Sequence, residues 1–559
     1  MLRIRESSSS AGKSIHRRVQ GLLPLVIAFI CGIVLLAKLM LVWLAPMPIL
    51  VKFTLDDGFY YFKIAANIAD GKGSTFDGIH LTDGYHPLWA WLLVAIFRVI
   101  DDPFLRVRLA LTFALLLGII AAYLLYLLLQ PRFGTTVASL AAGLYGTSRA
   151  IFSDQITGQE FALFASLLCL TALIYDRLMA FPRRHLWHFA ILGGVIGLTT
   201  LSRLDAILLL FAAIFALWLH LRPHFRYWLA ASFVLVIACG LVIAPYFAWK
   251  IPTTGRLMTV SGRIKTWWGQ SSLPKLFGVE HLKAGLKEMG ITDAVEATLP
   301  VRTLAEPFLR RFPSKWRQAI TLSVAYAIWL VALLGLRTTF LTKLYGLLLL
   351  VVYGGLHYLA YGFWLLGNYQ GYQTPEFLLV TILTAIGLRG IYERLSQSAG
   401  WGIVARLAPI AVVALVLYSG ALCARYIYHY TSLTAEHNPH SDLYQMARWM
   451  RSHLPTDAKV AAWSAGILGY FSDRYVINLD GLVNSHEYFE RYLKLGRTAD
   501  YIREKGIRFL ADYDLKALNS VSKQFRLKRV YWQPNRDWVC FVVQLQPMID
   551  TQASSGERQ

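Results

Sequence analysis

What most constrains this chain is a series of apolar blocks, each near the ~20 residues that one helical crossing of a hydrocarbon core requires. They fall at 22–45, 104–129, 134–152, 159–178, 186–201, 204–220, 227–248, 318–336, 344–366, 374–391 and 404–424. The blocks do not alternate with period two, so a closed barrel is excluded. Helices are then the way left to satisfy backbone polar groups in lipid. Charge content agrees: 16% of the 559 residues are charged, against about 25% in an ordinary soluble chain. The expected fold is an all-α polytopic membrane domain.

Loop charges set the expected topology. One further block, His86–Ile100, is shorter than the rest. If it does not cross, the loops carrying Arg132, Arg177, Arg183, Arg184, Arg222, Arg226, Arg337, Lys343, Arg389, Arg394 and Arg406 share one side, the cytoplasm by the positive-inside rule. If it crosses, those basic loops land outside. The first arrangement is favoured. It gives about 11 crossings, with His86–Ile100 as an interfacial or re-entrant helix. The stretch Leu22–Ala45 is too long for a signal-peptide core and lacks a small-residue cleavage site, so it reads as a retained first helix. The expected organisation is a basic cytoplasmic tail at 1–20, a transmembrane domain at 21–429 with outer loops 46–103 and 249–317, and an extracytoplasmic segment 430–559. A bacterial plasma membrane suits this pattern.

The formal net charge of +22 follows from basic residues that flank the spans and face anionic headgroups. No basic face with interleaved aromatics lies outside the apolar blocks, so nucleic acid is not an expected partner. The five cysteines are scattered without a C-x-x-C or Cys/His pattern, which gives neither a disulfide framework nor a zinc site. In the tail, Lys459–Trp463, Tyr475–Leu479, Arg508–Ala511 and Val539–Val543 have strand character. Ser441–His453 and Thr498–Lys505 have helix character. A small C-terminal α/β domain is expected there.

Both long loops and the tail share the outer side, so chemistry is expected there. The first outer loop places Asp56 and Asp57 just before an aromatic-rich helix over Phe59–Ile68. Adjacent carboxylates push one of the pair toward neutrality unless a cation or donor is near. That suits a general base for an acceptor hydroxyl, and it equally suits a divalent metal ligand. A structural reading competes, since Thr54-Leu55-Asp56-Asp57 matches a capping box.

The run LDDGFYYFKIAANIADGKGSTFDG, followed by TDGYHPLW, resembles the first outer loop of the GT-C glycosyltransferases. These are polytopic enzymes that use lipid-phosphate sugars, among them protein O-mannosyltransferases, aminoarabinose transferases and arabinofuranosyltransferases. The likeness continues through SDQITGQEFALF, LSRLDAILLL, TTGRLMTVSGRIK and the tail run AGILGYFSDRYVINLDGLVN. It implies that Asp56 is the catalytic base with Asp57 beside it. It also implies that His86, Asp154, Glu160, Arg203 and Asp205 are candidates for the substrate-binding surface. His86 equally reads as a capping or surface histidine, and the acids Asp154 and Glu160 as residues with a structural role, Glu160 favoured by the dipole of a first helical turn. The implied donor is a polyprenyl-phosphate sugar, and the implied acceptor is a cell-envelope glycan, lipid or protein. Members differ in metal use, so no cofactor is certain; a divalent metal on Asp56 and Asp57 is compatible.

The other candidates each have two readings. Arg256, Arg263 and Lys265 lie on the outer side and suit a lipid phosphate; they equally suit headgroup contact. Arg203 with Asp205 reads as a functional pair at membrane depth or as a local ion pair in a tight helical link. Tyr372, like Tyr369, suits stacking on a sugar or an interfacial aromatic belt. The alternating stretch from Pro274 to Arg317 reads as helices flat on the membrane. The expected function is inverting transfer of a sugar to an outer-face hydroxyl. The rival is a carrier or flippase of lipid-linked sugars, disfavoured because no internal repeat is present.

Overall fold

A computed structural model describes residues 2–181, 183–272, 295, 297–364, 372–396, 402–432 and 438–547. Tyr369 and most of the expected interfacial helices at 274–296 lie outside the described residues.

Each expected apolar block coincides with helix. Helix α1 is Leu2–Leu44, α2 Asp56–Ala69, α3 Pro87–Phe97, α4 Pro103–Thr147, α5 Phe161–Ala180, α6 Leu186–Ser202, α7 Leu208–Leu221, α8 Phe225–Thr254 and α9 Val260–Ser272. Then follow α10 Ser314–Thr342, α11 Tyr345–Trp364, α12 Thr374–Ser396 and α13 Gly402–Thr431. Among the described residues, eight helical stretches are long and apolar enough to cross a membrane. Two are composite. Helix α4 breaks at Gly134, whose φ of 76° is costly for a residue with a Cβ. The stretch Leu204–Thr254 contains α7 and α8, separated by the Arg222–His224 turn. Helix α6 adds a shorter apolar helix.

The helices pack through small residues. A Cβ on Gly335 of α10 would lie 2.0 Å from the Leu383 carbonyl oxygen of α12, and one on Gly387 would lie 2.0 Å from that of Val331. Reciprocal glycines let two backbones approach where lipid supplies no hydrophobic drive.

The first long loop folds into α2 and α3. Helix α3 has 11 residues, about 16 Å at 1.5 Å per residue, and so is too short to span. Helix α2 begins at Asp56, three residues earlier than the aromatic pattern predicts. The capping box is not formed: Leu55 is the N-cap, without a side-chain cap bond, and the Thr54 hydroxyl donates backward to the Leu50 carbonyl oxygen at 3.4 Å.

The tail is an α/β domain. Its strands are β1 Lys459–Ala462, β2 Tyr475–Asn478, β3 Phe509–Asp512, β4 Phe525–Pro534 and β5 Val539–Pro547, in the order β2-β1-β3-β5-β4. The first three are mutually parallel, and β5 and β4 add antiparallel pairs. Strand β4 has no counterpart in the expectation, because its basic sequence FRLKRVYWQP lacks a buried run. Helix α14 (Pro439–His453) and helix α15 (Gly466–Phe471) complete the face that meets the membrane domain. Phe59, Phe62 and Phe76 of the first loop share one core with Leu443, Met446, Ile467 and Phe471 of the tail. The tail is therefore packed on the first loop as part of one hydrophobic core.

Candidate active site

A cavity of about 700 Å³ opens between the first loop, the neighbouring ends of the helices and the tail, within the range of small-molecule sites. Its lining includes the ionisable Asp57, His86, Glu160, Arg203, Asp205 and Lys265 together with the apolar Ile207, Leu208, Ile243, Phe247, Leu257 and Met258.

Local sequence explains how these groups meet. Asp57 sits in the first turn of α2, and Gly58 follows it. A Cβ on Gly58 would lie 2.1 Å from the Thr157 carbonyl oxygen, so glycine lets the Thr157–Gly158 turn rest on α2. The Trp89 indole of α3 donates to the Gly158 carbonyl oxygen at 2.9 Å. That turn delivers Glu160, the N-cap of α5, beside Asp57. His86 is the N-cap of α3. Its Nδ1 accepts from the Leu204 amide at 3.2 Å, which fixes the proton on Nε2, 3.7 Å from Glu160 Oε1.

Arg203 makes four hydrogen bonds to its neighbours. Nε and Nη2 donate to Asp205 at 3.2 and 2.9 Å, Nη1 to Glu160 at 3.1 Å and Nη2 to the Tyr361 hydroxyl at 3.0 Å. Its guanidinium lies 4.6 Å from the Tyr372 ring centroid. Tyr361 donates to Asp205 at 2.5 Å. His357 stands between Asp205 (3.5 Å) and Glu376 (2.7 Å). Charges thus alternate from Glu376 through His357, Asp205 and Arg203 to Glu160. Such a ladder offsets the burial cost of each member. At its cavity end Glu160 is 1% exposed, and its Oε2 has no hydrogen-bond partner among the described residues.

Electrostatics separates the two aspartates. Burial pushes the Asp57 carboxyl above the usual carboxylate range, with Lys265 pulling the other way. The Lys265 ammonium donates to the Tyr372 hydroxyl. Burial would lower its pKa, but Tyr372 and then Asp57 raise it above the ordinary lysine value. Asp56 turns away. Its Oδ2 accepts from the Gly466 amide at 2.9 Å, and its Oδ1 from the Ile467 amide at 2.8 Å. Burial still pushes its pKa up to about 7, although the two amides lower it.

Of the residues singled out from sequence, Asp57, His86, Glu160, Arg203, Asp205, Lys265 and Tyr372 meet on one cavity. Four do not line it. Asp56 is held by the tail. Asp154 is buried at the end of the short Arg149–Gln155 helix. Arg256 is exposed. Arg263 pairs with Glu490 of the tail. The Thr253–Lys265 run is half helix rather than a loop: α8 ends at Thr254 and α9 starts at Val260. Successive helical positions diverge by about 100°, which sends Arg263 and Lys265 apart. Tyr61, Gln159, Tyr361 and Leu482 also line the cavity and were missed. Among the described residues, no group of three or more His, Cys, Asp or Glu is placed to hold a metal ion.

With this geometry in view, the fold is that of the GT-C membrane glycosyltransferases. The family model for dolichyl-phosphate-mannose-protein mannosyltransferase matches residues 85–249, and a domain of unknown function (DUF8728) matches 429–546. ArnT from Cupriavidus metallidurans bound to undecaprenyl phosphate aligns at 13% identity and a TM-score of 0.58, over 92% of this chain and 97% of that one. The apo state of the same protein aligns at 11% identity and a TM-score of 0.53, over 87% and 93%. The archaeal oligosaccharyltransferase AglB from Archaeoglobus fulgidus, in complex with an inhibitory peptide and a dolichol-phosphate, aligns at 14% identity and a TM-score of 0.50, over 92% and 74%. No curated protein matches significantly. These alignments show that the chain shares the fold of ArnT and AglB along nearly its whole length.

Proposed function

We propose that the protein transfers a sugar from a polyprenyl-monophosphate carrier to an acceptor hydroxyl at the outer face of the membrane. One observation carries this reading: a single cavity joins the Asp57 carboxylate, the Lys265 ammonium and an apolar wall. A lipid-phosphate sugar has that division of chemistry, with an apolar chain, an anionic joint and a polar head. The similar solved structures with undecaprenyl phosphate and with a dolichol-phosphate support a donor of this kind.

In the proposed step the acceptor oxygen forms a bond to the anomeric carbon while the bond from that carbon to the phosphate oxygen breaks. Asp57 takes the hydroxyl proton, and the lipid phosphate leaves beside Lys265. Fixed charge aimed at a leaving anion is most effective in a site that excludes water. A phosphate leaving group needs no protonation, unlike a sugar alkoxide. A single displacement inverts the anomeric centre.

This reading moves the base from Asp56, favoured by the sequence resemblance, to Asp57. Both oxygens of Asp56 are engaged by backbone amides, which leaves it poorly placed to take a proton from a ligand in the cavity. We further propose about 11 crossings, a cytoplasmic N-terminus and an outer tail, which puts the cavity in the outer leaflet. The test is sugar transfer by Asp57→Asn and Asp56→Asn, each checked for membrane insertion. Asp57→Asn should abolish transfer, and Asp56→Asn should retain part of it. Full activity in Asp57→Asn contradicts the assignment.

A further inference from the structure

The tail touches both sides of the cavity through residues that do not line it. On one side, the Gly466 and Ile467 amides hold the Asp56 carboxylate. Asp480, which follows β2, accepts from the Tyr60 hydroxyl at 2.9 Å. Asp56 and Tyr60 flank Asp57 on α2. On the other side, α9 carries Lys265 into the cavity and Arg263 away from it. Arg263 forms an ion pair with Glu490 and lies 3.3 Å from His486 Nδ1. Its guanidinium also sits 5.2 Å from the Phe489 ring centroid. The Trp267 ring contacts the same Phe489 at 5.8 Å. Gly481 turns with φ of 89°, and a Cβ there would lie 2.6 Å from Ile264 Cδ1. The tail thus grips α9 on the face opposite Lys265.

We infer that the tail domain is a two-point clamp that sets Lys265 and Asp57 in register across the cavity, with Arg263 and Glu490 as positioning residues on the Lys265 side. This inference rests on the proposed donor chemistry. It gives the tail a task in the transfer itself, and it gives Arg263 a role other than contact with phosphate. The two roles differ in one consequence. If Arg263 bound phosphate directly, removing Glu490 would release the guanidinium and tighten binding. If Arg263 and Glu490 together hold α9, removing either partner loosens the lysine.

The test is binding of undecaprenyl phosphate to the full-length protein in nanodiscs, measured for wild type, Arg263→Gln, Glu490→Gln and the double variant, with thermal melting alongside. The pair is partly exposed (22% and 33%), so each single change should weaken binding modestly, by about threefold, with little change in melting. The double variant should be no weaker than either single one, as expected for two residues that act as a unit. Tighter or unchanged binding in Glu490→Gln overturns the clamp while the functional reading stands. Absence of undecaprenyl phosphate binding by the wild type overturns the functional reading and the clamp with it. If the double variant unfolds, the opposite-sign behaviour of Glu490→Gln alone still decides between the two roles.

Discussion

Gly466 lies against Asp56 so closely that a Cβ on the glycine would sit 2.0 Å from the Asp56 carbonyl oxygen and 3.0 Å from its carboxyl carbon. The contact joins the tail to the first turn of the helix that carries Asp57, and no titratable group is altered by changing it. Gly466→Ala must push the two backbones apart. A displacement near 1 Å can cost up to about a hundredfold in rate. Gly466→Ala is therefore expected to lower kcat by about tenfold or more, with the protein still inserted. Wild-type kcat in this variant would show that the contact does not position Asp57.

The pH dependence of transfer follows from Asp57. A base must be ionised to accept a proton, and burial raises the Asp57 pKa. Activity is expected to fall on acidification, with its acid limb centred above the ordinary carboxylate value of about 4. A rate–pH profile of wild type checks this. The limb should move toward neutral pH in Lys265→Met, which removes the cation that lowers the Asp57 pKa.

Asp56 contributes to the pH dependence of stability with a defined sign. Burial raises its folded pKa to about 7 from the ordinary carboxylate value of about 4, so the native state binds more protons than the unfolded state between those values. Stability from this group is full below the unfolded pKa and is lost as pH rises through the folded one. Relative to Asp56→Asn, the wild type should melt higher at pH 5 than at pH 8. Melting curves of both proteins at the two values test this. An equal offset at both contradicts the assignment of the titration to Asp56.

Asp83 and Lys250 are both fully buried and ion-paired, joining the first loop to the C-terminal end of α8. The Val260 amide donates to Asp83 at 2.9 Å, and His486 Nε2 of the tail lies 3.1 Å away. Removing one partner strands a buried charge, at about 3–5 kcal/mol. Lys250→Met is expected to destabilise by that order, less what His486 offsets, and Lys250→Met with Asp83→Leu should recover part of the loss. Thermal denaturation of the single and double variants measures the difference.

Much of the fold was legible because lipid leaves few solutions. Blocks of about 20 apolar residues become helices, and the chain shows this even where Gly134 breaks one of them. The shortness of the His86–Ile100 block set it apart from the others, and the distribution of basic loops favoured an interfacial or re-entrant helix there. The site was legible by composition and less so by direction. A cluster of loop cations suited to a lipid phosphate led to Lys265. Ionisable residues near apolar blocks led to Glu160, Arg203 and Asp205, because such groups are expensive at membrane depth. The same logic applied to His357 and Glu376 would have completed the charge ladder. Sequence could not separate Asp56 from Asp57, because neighbours on a helix point about 100° apart and the partner that captures Asp56 lies 410 positions away. The Arg263 ion pair was not legible for the same reason, since Glu490 is remote in sequence and close in space.

The claim on which the rest depends is that Asp57 performs the transfer from a polyprenyl-phosphate sugar. Lipid extracts of cells that make either wild-type protein or Asp57→Asn as their only copy test it directly by mass spectrometry. The expected result is accumulation of a polyprenyl monophosphate bearing one sugar in the Asp57→Asn cells, with loss of that sugar from the envelope acceptor. Identical lipid profiles in the two strains, with the variant correctly inserted, would contradict the account.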